Sequence, residues 1–148
     1  MCGIVGLYLK NAKFQSQLGK MFQPMLLEMS SRGPDSAGVA IYRNPVEPGQ
    51  MKFSLAHDNP GFLWKTLETN LAVSLNCGVS TKIVANHCIL TTDAGENDVI
   101  SCLQSNFAEV RIVGSGKSIE IFKEVGSPEL VYEQFDLEMA SGTHMIGH

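Results

Sequence analysis

The chain has 148 residues, of which 44% are hydrophobic and 18% are charged, so it is the size of one globular domain and is not disordered by composition. Its net charge of −4 gives no broad basic surface, and nucleic-acid binding is therefore not expected. No apolar run is long enough to span a bilayer and the start lacks the features of a signal peptide, so we expect a cytoplasmic protein with no membrane partner.

The amino-terminal sequence Met-Cys-Gly-Ile-Val-Gly-Leu places Cys2 directly behind the initiator methionine. If Met1 is removed, Cys2 carries both a thiol and a free α-amino group, whose pKa of about 7.7 to 8.0 lets it accept the thiol proton. Cys2 is therefore a candidate catalytic nucleophile. The alternative is that Cys2 is an ordinary small residue at a chain terminus.

The cysteines as a group are widely spaced and include no Cys-x-x-Cys pair. This spacing indicates reduced thiols, and it favours neither a zinc framework nor a secreted disulfide scaffold. We therefore expect no metal and no cofactor.

Residues 3–9 form a short apolar run rich in Ile and Val, which predicts a mostly buried strand behind Cys2. Residues 14–29 carry apolar side chains at helical spacing and predict an amphipathic helix. Pro24 lies inside this pattern and predicts a kink or a break near Gln23. The methionines at positions 21, 25 and 29 fall on the apolar face and are interpreted as core residues, not as a soft-metal site.

Residues 31–38 read Ser-Arg-Gly-Pro-Asp-Ser-Ala-Gly and predict a turn before a strand at 39–42. In isolation, the Arg and Asp of this loop either form a local salt bridge or support a neighbouring nucleophile. Together with the amino-terminal Cys-Gly-Ile, the loop resembles the class II glutamine amidotransferases, which are N-terminal-nucleophile hydrolases. Residues 142–148, Gly-Thr-His-Met-Ile-Gly-His, resemble the beginning of the next motif of that family.

The resemblance implies an α+β fold with an N-terminal-nucleophile core of the αββα type, incomplete here because the chain ends inside a family motif. It implies that Cys2 is catalytic and that Gly147 and His148 are substrate-proximal. Five residues are expected to support the site: Gly3, Arg32, Gly33, Asp35 and Ser36. The oxyanion donors and the carboxylate clamp of the family would lie downstream of His148, so little activity is expected of this chain alone.

Residues 44–50 predict a turn or linker, and the segment after them resembles an insertion. Its patterns predict a strand at 51–56, a helix at 60–75, one long strand or a hairpin at 81–92, a helix at 97–104 and a strand at 110–113. This order predicts a small α/β subdomain of ferredoxin-like type. The predicted division is therefore 1–50 and 125–148 for the amidotransferase core and 51–124 for the inserted subdomain.

Two features of that segment could suggest other sites. The Gly-Ser-Gly-Lys-Ser run at 114–118 lacks the first glycine of a phosphate-binding loop, so we interpret its glycines as a hairpin turn. His87 and Cys88 are neighbours on a predicted strand and should point to opposite faces, which predicts one core residue and one surface or turn residue. Further on, Ser127 followed by Pro128 predicts the capped start of a short helix.

The resemblance also implies a substrate and a partner. Glutamine would be hydrolysed to glutamate and ammonia, and the ammonia would pass to a synthase subunit, since the long insert is similar to that of stand-alone subunits of the glutamate-synthase type. Two alternatives remain open: a non-catalytic binding or regulatory module, and a hydrolase of the same kind that acts on a different amide.

Overall fold

A computed structural model of the protein describes residues 3–31 and 35–148. Over these residues the fold is α+β, with two antiparallel sheets and four α-helices. The chain divides into two compact units, one made of Met1–Asn44 and Ile121–His148 and the other of Pro45–Glu120. No helix within the described ranges has the length and apolar character needed to cross a membrane.

The described elements follow one another along the chain as short strands and helices. The strands are β1 (Val5–Tyr8), β2 (Ser36–Tyr42), β3 (Met51–Ala56), β4 (Val79–Val84), β5 (His87–Thr92), β6 (Arg111–Gly116), β7 (Ile119–Val125) and β8 (His144–Gly147). The α-helices are α1 (Leu18–Leu27), α2 (Trp64–Leu75), α3 (Glu96–Asn106) and α4 (Pro128–Gln134). Three 3₁₀ turns accompany them, at Ala12–Gln17, Glu28–Ser31 and Leu137–Met139.

The sheet of the first unit has the strand order β1-β8-β2-β7. Helix α1 packs on one face of this sheet, where Leu18, Phe22 and Leu26 are fully buried. Gly147 of β8 lies directly beneath the helix, because a Cβ atom there would be 2.9 Å from Leu26 Cδ1 and 3.1 Å from the Phe22 ring. The close contact between helix and sheet therefore requires glycine at position 147.

Helix α1 continues through Pro24 and ends at Leu27, so of the two outcomes predicted near Gln23, a kink or a break, the break does not occur. Proline removes one main-chain donor, but the buried side chains of Phe22 and Leu26 on either side of it hold the helix against the core. The interpretation of Met21 as a core residue is also wrong, since 41% of Met21 is exposed. The buried stripe runs through positions 18, 22 and 26 instead.

The second unit has the element order strand, helix, two strands, helix, strand, as predicted for residues 51–113. Its strands pair antiparallel in the order β4-β5-β3-β6. The segment 81–92 is a hairpin and not one long strand, because Ala85, with a φ of 52°, and Asn86 form a tight turn. Both helices contribute side chains to one apolar cluster that includes Trp64, Leu67 and Leu103.

Two predictions about side chains in the second unit are wrong. His87 and Cys88 are both fully buried, so neither is a surface or turn residue. Gly114 and Gly116 lie within β6, and the bend falls at residues 117–118 instead of at the glycines.

The predicted start of α4 is confirmed, since the Ser127 hydroxyl accepts a 3.3 Å hydrogen bond from the Leu130 N–H.

Candidate active site

The register of the first sheet brings three chain segments to one end of it. Val5 of β1 and Val39 of β2 both pair with Gly147 of β8. Since β8 is antiparallel to both strands, β1 and β2 run in the same direction and begin at the same end of the sheet. Gly3 and Ile4 before β1, the start of β2 and the end of β8 therefore lie at the same end of the sheet.

The predicted site residues that the structure describes are all at this end. Gly3 precedes β1 and is half-buried, and Asp35 and Ser36 are exposed where β2 begins. The main-chain carbonyl of Asp35 accepts a 2.9 Å hydrogen bond from the Gly126 N–H, just beyond β7. The predicted nucleophile Cys2 and two predicted supporting residues, Arg32 and Gly33, lie outside the described residues.

His148 is joined to Gly38 of β2 by two main-chain hydrogen bonds, of 3.1 and 3.0 Å. Its imidazole lies over Gly38, because a Cβ atom on that glycine would be 2.9 Å from His148 Nε2. The same atom would be 3.5 Å from Cγ of Lys123 on β7. Two basic side chains, one from each neighbouring strand, thus approach each other above a position that has no side chain.

These residues border a cleft of about 160 Å³ on the face of the sheet opposite α1. Ile146 and His148 point to that face because they alternate with Gly147, which faces the helix. Apolar side chains dominate the lining, while Lys123 and His148 supply its basic groups. The full lining consists of Ile4, Gly38, Val39, Ala40, Ile121, Lys123, Ile146, Gly147 and His148.

Two of the apolar side chains on this face are well exposed. Ile4 is 79% exposed and Ile146 is 40% exposed. Apolar walls with basic groups suit a small amphipathic molecule that carries an anionic group. Ile4, which lines the cleft, is two residues from the predicted nucleophile Cys2 in the sequence.

The sequence alone did not single out Ile4, Gly38 or Lys123. A signal for Lys123 was present, because Ile119, Ile121 and Lys123 alternate along β7 and must share a face. The pairing of that face with Gly38 could not be read from the sequence, since it depends on how distant strands align.

The opposite end of the same sheet carries a row of aromatic side chains. The register places Tyr8, His144 and Tyr42 side by side on three adjacent strands. The His144 ring stacks on Tyr42 at a centroid distance of 3.9 Å and meets the edge of Tyr8 at 5.6 Å. These contacts favour the observed register of β1 on β8, and so they help to fix where β1 begins.

The cysteines that the structure describes lie in the second unit. Cys88 is fully buried, and this burial, with a smaller contribution from the Glu68 carboxylate, raises the pKa of its thiol to about 12. Cys102 is buried as well, and Cys77 is half-buried. Within residues 3–31 and 35–148, no group of three His, Cys, Asp or Glu side chains is arranged to hold a metal ion.

No protein-family model matches the chain. The chain is 40% identical over 151 residues to the glutamine amidotransferase-like protein GlxB of Rhizobium meliloti (strain 1021), in an alignment covering 100% of this chain and 49% of that protein. It is 32% identical over 157 residues to a "Putative glutamine amidotransferase" of Methanothermobacter thermautotrophicus, covering 100% of this chain and 51% of that protein. The chain thus spans about half the length of these curated relatives.

Proposed function

We propose that the chain is the amino-terminal part of a class II glutamine amidotransferase, which hydrolyses glutamine to glutamate and ammonia. The similarity to two proteins with amidotransferase names supports the family. The observation that carries the proposal is the register of the first sheet, which places Gly3, the Asp35–Ser36 segment and His148 at one end beside an amphipathic cleft. These segments carry the three motifs that resemble the family.

The proposed chemistry uses the two functional groups of Cys2 after removal of Met1. The thiolate attacks the side-chain carbonyl carbon of glutamine, a C–S bond forms, and the protonated α-amine donates its proton to the departing nitrogen. The C–N bond breaks and ammonia leaves. Water, deprotonated by the same amine, then attacks the thioester, the C–S bond breaks, and glutamate and the free thiol are released.

We propose further that the first unit belongs to an αββα core and that the second unit is a ferredoxin-like subdomain inserted into it. The first sheet has helices on one face, while the other face presents Ile4 and Ile146, both partly exposed. An apolar sheet face of this kind is normally covered by another layer. The rest of a longer protein, of the length of the relatives, would supply that layer together with the oxyanion donors and the carboxylate clamp.

The proposed ammonia acceptor is a synthase subunit of the glutamate-synthase type, and the proposed location is the cytoplasm. Reduced cysteines in the described part of the chain are compatible with that location. Copurification of the longer protein with an ammonia-accepting synthase subunit would support this partner, whereas ammonia release that is unaffected by any copurifying subunit would argue for an independent glutaminase.

The central test measures ammonia release from glutamine by the complete protein purified from its native cells. We expect loss of Met1, measurable turnover, and covalent labelling of Cys2 by an electrophilic glutamine analogue, read by intact mass. Cys2→Ala should abolish turnover and labelling, whereas Cys77→Ala, which changes a half-buried thiol far along the sequence, should leave both intact. A non-catalytic module would retain its function in Cys2→Ala, and a hydrolase of another amide would be labelled poorly and would not consume glutamine.

A further inference from the structure

We propose that strand β4 of the second unit pairs with β4 of a second copy of this chain, so that the two second units share one continuous antiparallel sheet. The inference goes beyond the proposed function and does not depend on it, because self-association is measured without a substrate.

Strand β4 lies at an edge of its sheet. Its only neighbour in the described sheet is β5, with which it pairs along its whole length without a register shift. It contains no proline, glycine or bulge, although these features usually keep edge strands from pairing with another chain. Strand β6 at the opposite edge differs, since it contains Gly114 and Gly116 and its pairing with β3 is shifted. Of the two edges, β4 is therefore the one suited to another strand.

The turn between β4 and β5 determines which main-chain groups of β4 point outward. The two strands are joined by the two-residue turn of Ala85 and Asn86, so the pair that closes the hairpin exchanges hydrogen bonds. Hydrogen-bonded and non-hydrogen-bonded pairs alternate along an antiparallel ladder. The N–H and C=O groups of Val79, Thr81 and Ile83 therefore point away from β5 and toward the edge.

These outward groups select one register for the second copy. In an antiparallel pair centred on Thr81, this residue opposes its own counterpart and Val79 opposes Ile83. Outward groups then meet outward groups, and each such pair exchanges two hydrogen bonds. A shift by one residue would bring outward groups against inward ones and remove these bonds. The selected pairing is two-fold symmetric, as the interface of a closed dimer must be.

The side chains favour the same register. Val79 would contact Ile83 of the second copy, and Ile83 is 55% exposed in the single chain. Ser80 would oppose Lys82, so no like charges meet. A pair centred on Lys82 would instead place two ammonium groups directly opposite each other, which is destabilising. Lys82 thus disfavours the competing register and is compatible with the proposed one.

The carboxylate beside the proposed two-fold axis has its charge compensated within each copy. Glu68 of α2 accepts a hydrogen bond from the Thr81 hydroxyl and forms an ion pair with Lys65. The two copies would therefore bring ion pairs, and not bare carboxylates, toward the axis. Repulsion between the Glu68 side chains is correspondingly weak.

The first experiment follows the mass of the complete protein by sedimentation velocity as a function of concentration. A single strand pair buries a small area, so we expect a dimer with a Kd on the order of 10 µM. Ile83→Pro should raise this Kd at least about 100-fold, because proline removes an outward N–H and its ring blocks the second strand. The hydrogen bonds between β4 and β5 do not use that N–H and should remain.

A charge series tests the same contact without proline. Ser80→Lys places a lysine opposite Lys82 of the second copy and should raise the Kd about tenfold, whereas Ser80→Glu should lower it several-fold. The matched control is Ser74→Lys, which makes the same change at an exposed serine on α2 and should leave the Kd unaltered.

Disulfide formation tests the register. Thr81→Cys places two thiols opposite each other with Cα atoms about 5.5 Å apart, a distance that a disulfide can span. In Lys82→Cys the two positions are offset along the strands, with Cα atoms roughly 8 Å apart, which is too far. Mild oxidation should therefore link Thr81→Cys into a covalent dimer and leave Lys82→Cys unlinked.

The contrary outcomes are distinct. A wild-type protein that stays monomeric up to about 100 µM, well above the expected Kd, would overturn the inference, and the edge would then be covered by another protein or by the rest of a longer chain. A dimer that is unaffected by Ser80→Lys, or equal linking of the two cysteine variants, would also overturn it. These two results decide the matter even if Ile83→Pro fails to fold. A lack of ammonia release would overturn the proposed function alone.

Discussion

Gly38 and His148 form a two-fold hydrogen-bonded pair, with N–H···O distances of 3.1 and 3.0 Å, and the His148 ring lies over the α-carbon of the glycine. The pair joins the start of β2 to the end of β8 at the rim of the cleft. Because Gly38 has no side chain, the position of the imidazole depends on the space that the glycine leaves empty.

Gly38→Ala should therefore reduce activity more than stability. The new methyl group would lie 2.9 Å from His148 Nε2, and this contact would be relieved by rotation of a flexible side chain. A displacement of about 1 Å at a reacting centre can cost up to about 100-fold in rate, so under the proposed function we expect kcat/KM of the complete protein for glutamine to fall at least about tenfold. The measurement is ammonia release together with the unfolding midpoint, which should change little.

A double-mutant cycle with His148→Ala supplies the control for this prediction. In that background no imidazole remains to be displaced, so Gly38→Ala should have a much smaller additional effect. Strict additivity of the two substitutions would show that the glycine acts through something other than His148.

Gly19→Ala should destabilise the first unit, although alanine is normally preferred over glycine inside a helix by about 1 kcal/mol. A Cβ atom at position 19 would lie 1.8 Å from the main-chain carbonyl oxygen of Leu137 and 2.9 Å from that of Glu138. Because neither backbone atom can rotate away, the clash outweighs the helix propensity, and we expect a loss of more than about 2 kcal/mol. Chemical unfolding checks the size of this loss.

The matched control for Gly19→Ala is Gly78→Ala. A Cβ atom there would make only ordinary contacts, 3.6 Å from the carboxylate oxygens of Asp93. Its effect on the unfolding free energy should stay within about 1 kcal/mol. If the two substitutions cost the same, the close approach of α1 to the Leu137–Met139 turn is not what requires glycine.

Lys52→Met should be strongly destabilising in the second unit. Lys52 Nζ and Glu120 Oε1 are 2.8 Å apart, and the two side chains are only 10% and 5% exposed. Removing the lysine leaves the Glu120 carboxylate buried without this cation, which typically costs about 3 to 5 kcal/mol. The unfolding free energy can be followed by the fluorescence of Trp64, the single tryptophan of this chain.

The double variant Lys52→Met, Glu120→Leu tests the cause of that loss. Replacement of both charged groups by apolar ones removes the uncompensated charge, and most of the stability should return. A double variant as unstable as Lys52→Met would mean that packing, and not the buried charge, accounts for the effect.

Alkaline pH should destabilise the protein through Cys88. Burial raises the pKa of this thiol from an ordinary value of 9.0 to about 12, so between these values the folded state keeps a proton that the unfolded state has lost. The stabilisation is complete below pH 9 and is lost as the pH rises toward 12, at about 1.4 kcal/mol per pH unit.

The variant Cys88→Val isolates this contribution, because it keeps a small apolar side chain but has no proton to lose. Unfolding free energies are measured at pH 8 and pH 10 for both proteins. The wild type should lose about 1.4 kcal/mol more than the variant over this interval. Equal losses would mean that other groups, such as Tyr132, whose pKa is also raised by burial, account for the whole dependence.

The sequence predicted elements well where local pattern decides, and less well where packing between distant segments decides. The strand at 51–56 alternates apolar and polar residues and could be recognised locally. The residue types at Ala85 and Asn86 did not distinguish a two-strand hairpin from one long strand. The helix is not broken at Pro24 because burial of Phe22 and Leu26 offsets the missing hydrogen bond, and that burial depends on the sheet.

The residues of the candidate site also divide into those that a local sequence motif identifies and those that only the packing of distant strands identifies. The motifs around Gly3, Asp35 and His148 could be recognised in the sequence, and the structure brings these three residues to one end of a sheet. Lys123 could not be identified in this way, because its contact with Gly38 depends on the register between strands that are far apart in the chain. The burial of both His87 and Cys88 was missed for a similar reason. Alternation along a strand places neighbouring side chains on opposite faces of the sheet, but it does not show whether both faces are covered by other parts of the protein.

The pairing of β1 with β8 has a consequence for biosynthesis. Val5 pairs with Gly147, and the only neighbour of β1 in the described sheet is β8, so β1 is held in the sheet by a strand that is far from it in the sequence. Contacts of such long sequence separation form slowly. During translation, docking of β1 should therefore wait until β8 has been made. Stalled nascent chains that end before or after β8 would differ in amide-exchange protection at residues 5–8.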